Sequence, residues 1–312
     1  MNRPELSIVI PCYNEEENVA EICAAVSRAA ERVAASHEIV LIDNCSTDAT
    51  RAIIRDLCAA DTRIRAIFNN RNYGQMRSPT YGIYQAHGAA VIGMCADFQD
   101  PPEMIATFVE QWRAGAQVVL AQRRRERAPL LLRAVRRAGY GFLSRFADYP
   151  VIPGATGFGL FDRKVVDALA SWNEPEPFFR GMLVEVGFRI AVVPFDRPER
   201  AAGTSKNGLR TLFAFGMSAL AGSARSLLRM PLIFAALAGL LTGGLAAAAL
   251  LALVLGGPAA MLALLAVAAG SFASIMLAIG LVAEQVRLLG ERSRNVPLVI
   301  EDERINFPAG QP

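Results

Sequence analysis

Through the first 122 residues, short apolar runs alternate with stretches whose apolar positions recur at helical spacing. Ser7-Ile8-Val9-Ile10 stops at Pro11, and runs at residues 38–43, 64–68, from Ala90 onward and at 117–121 have the length of buried strands. Between them Val19, Ile22, Cys23, Val26 and Val33 share one helical face, and Ile53, Ile54 and Leu57 share another. Residues 78–86 read as a helix after the Asn72-Tyr73-Gly74 turn, and Met104, Ile105, Phe108 and Val109 mark the next. Strand and helix alternating through short connections predict an α/β fold with a doubly wound, mostly parallel sheet.

Helix starts are written into the loops. Asn14 reads as an N-cap, with Glu17 completing a capping box and Glu15–Glu17 at the positive end of the helix dipole. The fourth strand behaves differently, because it empties into Asp97, Gln99 and Asp100 before Pro101-Pro102-Glu103. Asp100 could cap the following helix, but capping needs one such residue and not three. Hard oxygen ligands in a strand-to-helix turn of an open α/β sheet suit Mg²⁺ or Mn²⁺ beside a diphosphate. Neither G-x-G-x-x-G nor G-x-x-x-x-G-K-[ST] occurs, which removes the dinucleotide and P-loop readings.

Beyond residue 122 the pattern changes. Leu131, Val135, Ala138, Phe142 and Phe146 form one side of a helix that carries Arg133, Arg136, Arg137 and Arg145 elsewhere. Such a helix lies either in a membrane interface or on the surface of its own domain. Residues 209–228 form a weaker segment of this kind, interrupted by Gly216 and Gly222. Residues 232–255 and 259–283 hold no charged side chain, and each exceeds the ~20 residues that cross a bilayer core. With Gly256-Gly257-Pro258 between them they predict a transmembrane hairpin. Arg225, Arg229, Arg287, Arg292 and Arg294 at its ends place both termini in the cytosol. Small residues in the spans allow packing within the hairpin or between the subunits of a homo-oligomer. The polar tail from Val296 is expected to be poorly ordered.

Charge sharpens this division. Residues 123–230 carry 18 Arg and Lys against 9 Asp and Glu, whereas residues 1–122 carry 10 against 15. A basic segment leading into apolar ones points to anionic lipid or phosphate, and no nucleic-acid motif accompanies it. The five cysteines form no C-x-x-C pair and only two histidines exist, so a zinc site is not expected and the thiols read as reduced. The N-terminus shows no basic-then-apolar leader, which keeps the first domain on the cytosolic side.

Five segments together resemble the membrane-anchored family-2 glycosyltransferases of the dolichol-phosphate mannosyltransferase and bacterial undecaprenyl-phosphate glycosyltransferase type. They are Ser7-Ile8-Val9-Ile10-Pro11-Cys12-Tyr13-Asn14-Glu15-Glu16, the run at residues 43–48, Ala96-Asp97-Phe98-Gln99-Asp100-Pro101-Pro102-Glu103, Gly157-Phe158-Gly159-Leu160-Phe161-Asp162, and Arg200-Ala201-Ala202-Gly203-Thr204-Ser205-Lys206. The likeness covers residues 5–285. It implies a GT-A fold at residues 1–206 that includes the interfacial helix 129–148. A juxtamembrane helix at 207–229, two transmembrane helices within 230–285 and a cytosolic tail at 286–312 follow. The implied protein is a multi-pass protein of the inner membrane, in contact with membrane lipids. It performs inverting transfer from a UDP- or GDP-linked sugar to a polyprenyl phosphate, for cell-envelope glycan modification.

By the same resemblance Pro11, Tyr13 and Glu15 line the nucleoside pocket, Asp43 reads the base, and Asp97 and Gln99 hold the Mg²⁺ or Mn²⁺. Arg200, Ser205 and Lys206 face the acceptor phosphate, and Asp97, Arg200 and Lys206 carry the chemistry. The chain departs from the common pattern at three points. Cys95 replaces the first acid of Asp-x-Asp, Asp43-Asn44-Cys45-Ser46 replaces Asp-Asp-Gly-Ser, and Gln75-Met76-Arg77-Ser78-Pro79 stands where a lysine often follows the turn glycine. Arg77 is expected to supply the missing phosphate contact through its always-charged fork. A phosphate monoester is already mostly dianionic at pH 7, so no strong general base is required. Two rivals remain: a transferase acting on a sugar hydroxyl, with Asp148, Asp162 or Glu185 as base, and a non-catalytic membrane scaffold.

Overall fold

The structure is a computed structural model that describes residues 3–124, 152, 154–172, 174–175, 177–196, 198, 243–244, 248, 251, 253–254, 259–293 and 296–308. The elements in chain order are β1 (Leu6–Cys12), α1 (Val19–Glu31), β2 (His37–Asp43), α2 (Thr50–Ala60), β3 (Ile64–Asn69), α3 (Gly74–Gln85), β4 (Ala90–Gly93) and α4 (Met104–Arg113). They continue with β5 (Val118–Arg123), β6 (Ala155–Asp162), α5 (Arg163–Ala170), α6 (Phe179–Glu185), β7 (Ile190–Phe195), α7 (Ala259–Ser293) and β8 (Glu301–Ile305).

The strands form one eight-stranded sheet in the order β7-β5-β6-β4-β1-β2-β3-β8. The β4-β1-β2-β3 block is parallel throughout, whereas β6 runs antiparallel to β4 and β5, and β8 antiparallel to β3. Alternate residues of each central strand enter different layers. Ile8, Ile10, Ile39, Leu41 and Phe68 pack with Ile22, Val26, Ile54 and Phe108 of α1, α2 and α4. Val9, Val40, Ile42 and Ile67 pack with Ile83, Val165, Leu169 and Leu183 of α3, α5 and α6. Both faces are therefore dry, which is why these strands read as unbroken apolar runs. Gly159 of β6 has no room for a side chain, because a Cβ there would overlap the Val119 carbonyl of β5.

The amino ends of the strands are tied by a buried charged cluster. Glu38 is 2% exposed, and its Oε1 accepts from Ser7 Oγ at 2.5 Å and from the His87 backbone N–H at 2.6 Å. Its Oε2 pairs with Arg65 Nη1 at 2.7 Å. Arg163 donates to the carbonyls of Gly88 and Ala86, which fastens the α3–β4 connection to α5.

Several expectations are corrected here. Asn14 is not an N-cap: α1 begins at Val19, and Asn14 adopts φ +54° inside the preceding loop. The alternative capping role for Asp100 is not seen: α4 starts at Met104, and the Asp100 carboxylate accepts from the Cys95 N–H at 2.9 Å. The tail is ordered as β8 on the free edge of β3, with Asn306 Nδ2 donating to the carbonyls of Cys58 and Ile64, both at 2.8 Å. The multi-pass, inner-membrane placement is also overturned. Among the described residues no helix is long and apolar enough to cross a membrane. Only scattered positions of 232–255 are described, and α7 continues from 259–283 into Glu284, Arg287, Glu291 and Arg292. The segments 129–148 and 207–229 lie outside the described residues.

Candidate functional site

The strand order reverses at β1. The chain steps from β1 to β2 and β3 on one side and then crosses to β4 on the other. In open α/β sheets the crevice at the carboxyl ends beside such a reversal is where ligands bind. The loops after β1, β2 and β4 meet there, and each contains a non-glycine residue in the left-handed region: Asn14 at φ +54°, Cys45 at +64° and Phe98 at +57°. A bulky residue such as Phe is disfavoured in that region, and such conformations concentrate at functional sites.

The β1 and β2 loops are hung on one another. Ser46 Oγ accepts from the Asn14 N–H at 2.8 Å, Asn14 Oδ1 accepts from the Thr47 N–H at 2.8 Å, and Thr50 Oγ1 accepts from the Glu15 N–H at 2.8 Å. Glu15 Oε2 also accepts from Asn18 Nδ2 at 2.8 Å. Tyr13 and Glu15 are thus brought to the mouth of the crevice on a braced loop, with Pro11 in the last residues of β1 beneath them. The Asp43 side chain is completely buried. Its oxygens accept from the Ser46 N–H at 3.2 and 3.3 Å, and Arg51 Nε lies 3.6 Å away. Burial pushes the Asp43 carboxyl above the ordinary range, against the opposing pull of Ser46 and Arg51.

Asn44 was not singled out by the sequence as more than a departure, yet it organises the next loop. Its Oδ1 accepts from Asn69 Nδ2 at 3.1 Å and from the Tyr73 N–H at 2.9 Å, while its Nδ2 donates to Asn72 Oδ1 at 2.9 Å and to the Gly74 carbonyl at 3.3 Å. An aspartate has no donor for the last two bonds, which is a physical reason for the amide. Asn44→Ala should cost about 2–4 kcal/mol by stranding buried polar groups, and Asn44→Asp should also destabilise, because its carboxylate faces the Asn72 Oδ1 and Gly74 carbonyl oxygens without a donor. Urea unfolding of the three proteins measures this, and equal midpoints would remove Asn44 from its role.

After β4, Asp97 is 3% exposed and its Oδ1 accepts from the Gln99 N–H at 3.2 Å. The left-handed turn at Phe98 separates the two residues. Among the described residues no group of three His, Cys, Asp or Glu could hold a metal ion. The two donors expected from the sequence, Asp97 and Gln99, could offer one carboxylate and one amide oxygen. That suits a hard divalent ion that keeps water and takes its other ligands from a diphosphate, as Mg²⁺ commonly does.

Arg77 lies in the first turns of α3. Its Nη2 donates to the Pro297 carbonyl at 3.0 Å, and its Nε is buried without a hydrogen-bond partner. Arg200, Ser205 and Lys206 lie outside the described residues, as does Asp148. Asp162 is at the opposite end of the sheet, paired with Ala90 at the start of β4. There it caps α5 through Lys164 N–H and accepts from Trp112 Nε1 at 2.8 Å. Glu185 ends α6, on the layer that packs against the sheet from the α3 side. All five cysteines are free thiols, and burial raises Cys23 to about 12 and Cys58 to about 11, so both stay protonated at neutral pH.

Comparison with known proteins agrees with this architecture. The chain is 32% identical over 241 residues to the uncharacterized glycosyltransferase YkcC of Bacillus subtilis, covering 77% of this chain and 73% of that one. It is 34% identical over 203 residues to the bactoprenol glucosyl transferase of Shigella phage SfV, covering 65% and 66% of the two chains. Among solved structures, glucosyl-3-phosphoglycerate synthase from Mycobacterium tuberculosis in complex with Mn²⁺, UDP-glucose and phosphoglyceric acid superposes with a TM-score of 0.50 at 18% identity, covering 70% of this chain and 78% of that one. The fold is thus a mixed α/β, GT-A-like sheet. The profile "Glycosyl transferase family 2" matches residues 7–169, and the chain belongs to that family of glycosyltransferases.

Proposed function

We propose that this glycosyltransferase moves a sugar from a nucleotide donor to a polyprenyl phosphate with inversion at the anomeric carbon. The observation that carries the donor half is the convergence of three strained loops, after β1, β2 and β4, on the crevice beside the strand reversal. Pro11, Tyr13 and Glu15 would receive the nucleoside there, with Asp43 beneath them and Arg77 toward the phosphates. Asp97 and Gln99 would hold a Mg²⁺ or Mn²⁺ ion, which when bound supplies charge neutralisation to a departing nucleoside diphosphate. Arg200, Ser205 and Lys206 are assigned to the acceptor phosphate on the sequence alone. Two phosphates near one sugar repel, and fixed cations offset that repulsion without reorganising.

The acceptor half rests on relatives whose names specify bactoprenol as the acceptor and glucose as the transferred sugar. A dianionic phosphate attacks unaided, so the chemistry needs no histidine or carboxylate base at the acceptor. The location of Asp162 at the far end of the sheet removes one of the three bases that a hydroxyl acceptor would use.

The test is transfer by the full chain from radiolabelled UDP-glucose, or GDP-mannose, with Mn²⁺ and detergent-dispersed undecaprenyl phosphate. Label should enter organic-extractable lipid with undecaprenyl phosphate and not with undecaprenol. Label entering a glycan with free hydroxyls, and not the lipid, would overturn the phosphate-acceptor reading.

A further inference from the structure

The C-terminal strand does more than cover the free edge of β3. A strand that only blunted an edge would need its backbone ladder, and β8 has that. Two further contacts reach side chains of the donor half. The Pro297 carbonyl holds Arg77 Nη2 at 3.0 Å, and Asp302 Oδ2 holds Arg51 Nη2 at 2.9 Å. Arg51 is the second residue of α2, 22% exposed, with its guanidinium 5.0 Å from the Phe68 ring centre. Its Nε is buried without a hydrogen bond and lies 3.6 Å from the Asp43 carboxylate. One face of the guanidinium fork thus meets the tail while the other meets the buried acid from which the 43–48 loop springs.

We propose that Asp302, through Arg51, is a positioning residue for donor binding: it holds the guanidinium against Asp43 and so sets the loop on which Asn14, Tyr13 and Glu15 are hung. The chain of contacts is continuous. Asp302 fixes Arg51, Arg51 balances Asp43, Asp43 accepts from the Ser46 N–H, and Ser46 Oγ accepts from the Asn14 N–H. Arg51 also opposes the upward push of burial on the Asp43 carboxyl. The rest of the tail keeps Asp302 in register without it. Arg304 binds Glu301 and Gln85, Tyr81 donates to Glu301 Oε1 at 2.8 Å, and Arg55 pairs with Glu303 at 2.6 Å.

This rests on the reading of the β1 and β2 loops as the nucleoside pocket, and the experiment separates the two. Asp302 is 57% exposed, so its ion pair adds little to stability on its own. Full-length wild type, Asp302→Asn and Asp302→Glu are titrated with UDP and with GDP in the presence of Mg²⁺, beside thermal unfolding and donor kinetics. Asp302→Asn should weaken binding of the preferred nucleotide about three- to tenfold. The unfolding midpoint should stay within about 2 °C and kcat at saturating donor within about twofold. Asp302→Glu should restore the affinity. Asp302→Asn that binds nucleotide like wild type overturns the proposal while leaving the pocket standing. So does a loss that merely tracks a lowered unfolding midpoint. Wild type that binds neither UDP nor GDP overturns the pocket and this proposal together.

Discussion

Asp97→Asn should lower sugar transfer about 10²- to 10³-fold with little effect on folding. The substitution is isosteric, and the amide oxygen can still accept from the Gln99 N–H as Asp97 Oδ1 does. What disappears is the negative charge that makes this position a ligand for a hard cation. Because Cys95 stands where the common pattern has the first acid of Asp-x-Asp, and the Asp100 carboxylate is engaged with the Cys95 N–H, the position two residues before Asp97 supplies no carboxylate to compensate. The loss should therefore be deeper than in a site with two acids. Donor kinetics with Mn²⁺ varied would show it as a raised metal requirement and a lowered kcat. Wild-type rates for Asp97→Asn would leave the β4 loop without a role in the chemistry.

Glu38→Ala should destabilise the fold by about 3–5 kcal/mol without touching the crevice. Arg65 is only 15% exposed on its side chain, and removing Glu38 leaves its guanidinium buried without its anion. Ser7 Oγ, which accepts from the Gly88 N–H at 2.6 Å, loses the acceptor that orients it. Urea unfolding should show a lower midpoint at constant slope. Glu38→Ala combined with Arg65→Met should cost less than the sum of the two, because the second change removes the stranded charge. An additive pair would mean that the cluster is not coupled.

The sequence carried the central block because local pattern and burial agree there. Runs such as Ile39–Ile42 are apolar on both faces, and they are covered on both faces. The loops were harder to read. Asn14 followed by three glutamates has every mark of a helix start, but Asn14 is drawn into the β2 loop by Ser46 and Thr47, contacts 32 and 33 residues away. Asp100 fails as a cap for the same kind of reason, since it closes the turn back to Cys95. The tail was illegible because Glu301-Asp302-Glu303-Arg304 has poor strand propensity. Its pairing is decided by the open edge of β3 and by Arg51, Arg55 and Tyr81, which no local window contains. The apolar run at 259–283 misleads in the other direction: it is part of the 35-residue α7, which runs on into charged positions, and among the described residues no helix is long and apolar enough to cross a membrane. At the site, Asp97 and Gln99 were legible as an abrupt change from apolar to polar at a strand end. Asn44 and Arg51 were not, because their importance lies in what they join.

The most direct measurement is a crystal structure of the full chain with UDP and Mn²⁺, using the anomalous signal of manganese to place the ion. The ion should be bonded to Asp97 and Gln99 oxygens, with the diphosphate beside it and the uridine against the loop from Pro11 to Glu15. Manganese and UDP bound away from the carboxyl ends of β1, β2 and β4 would contradict it.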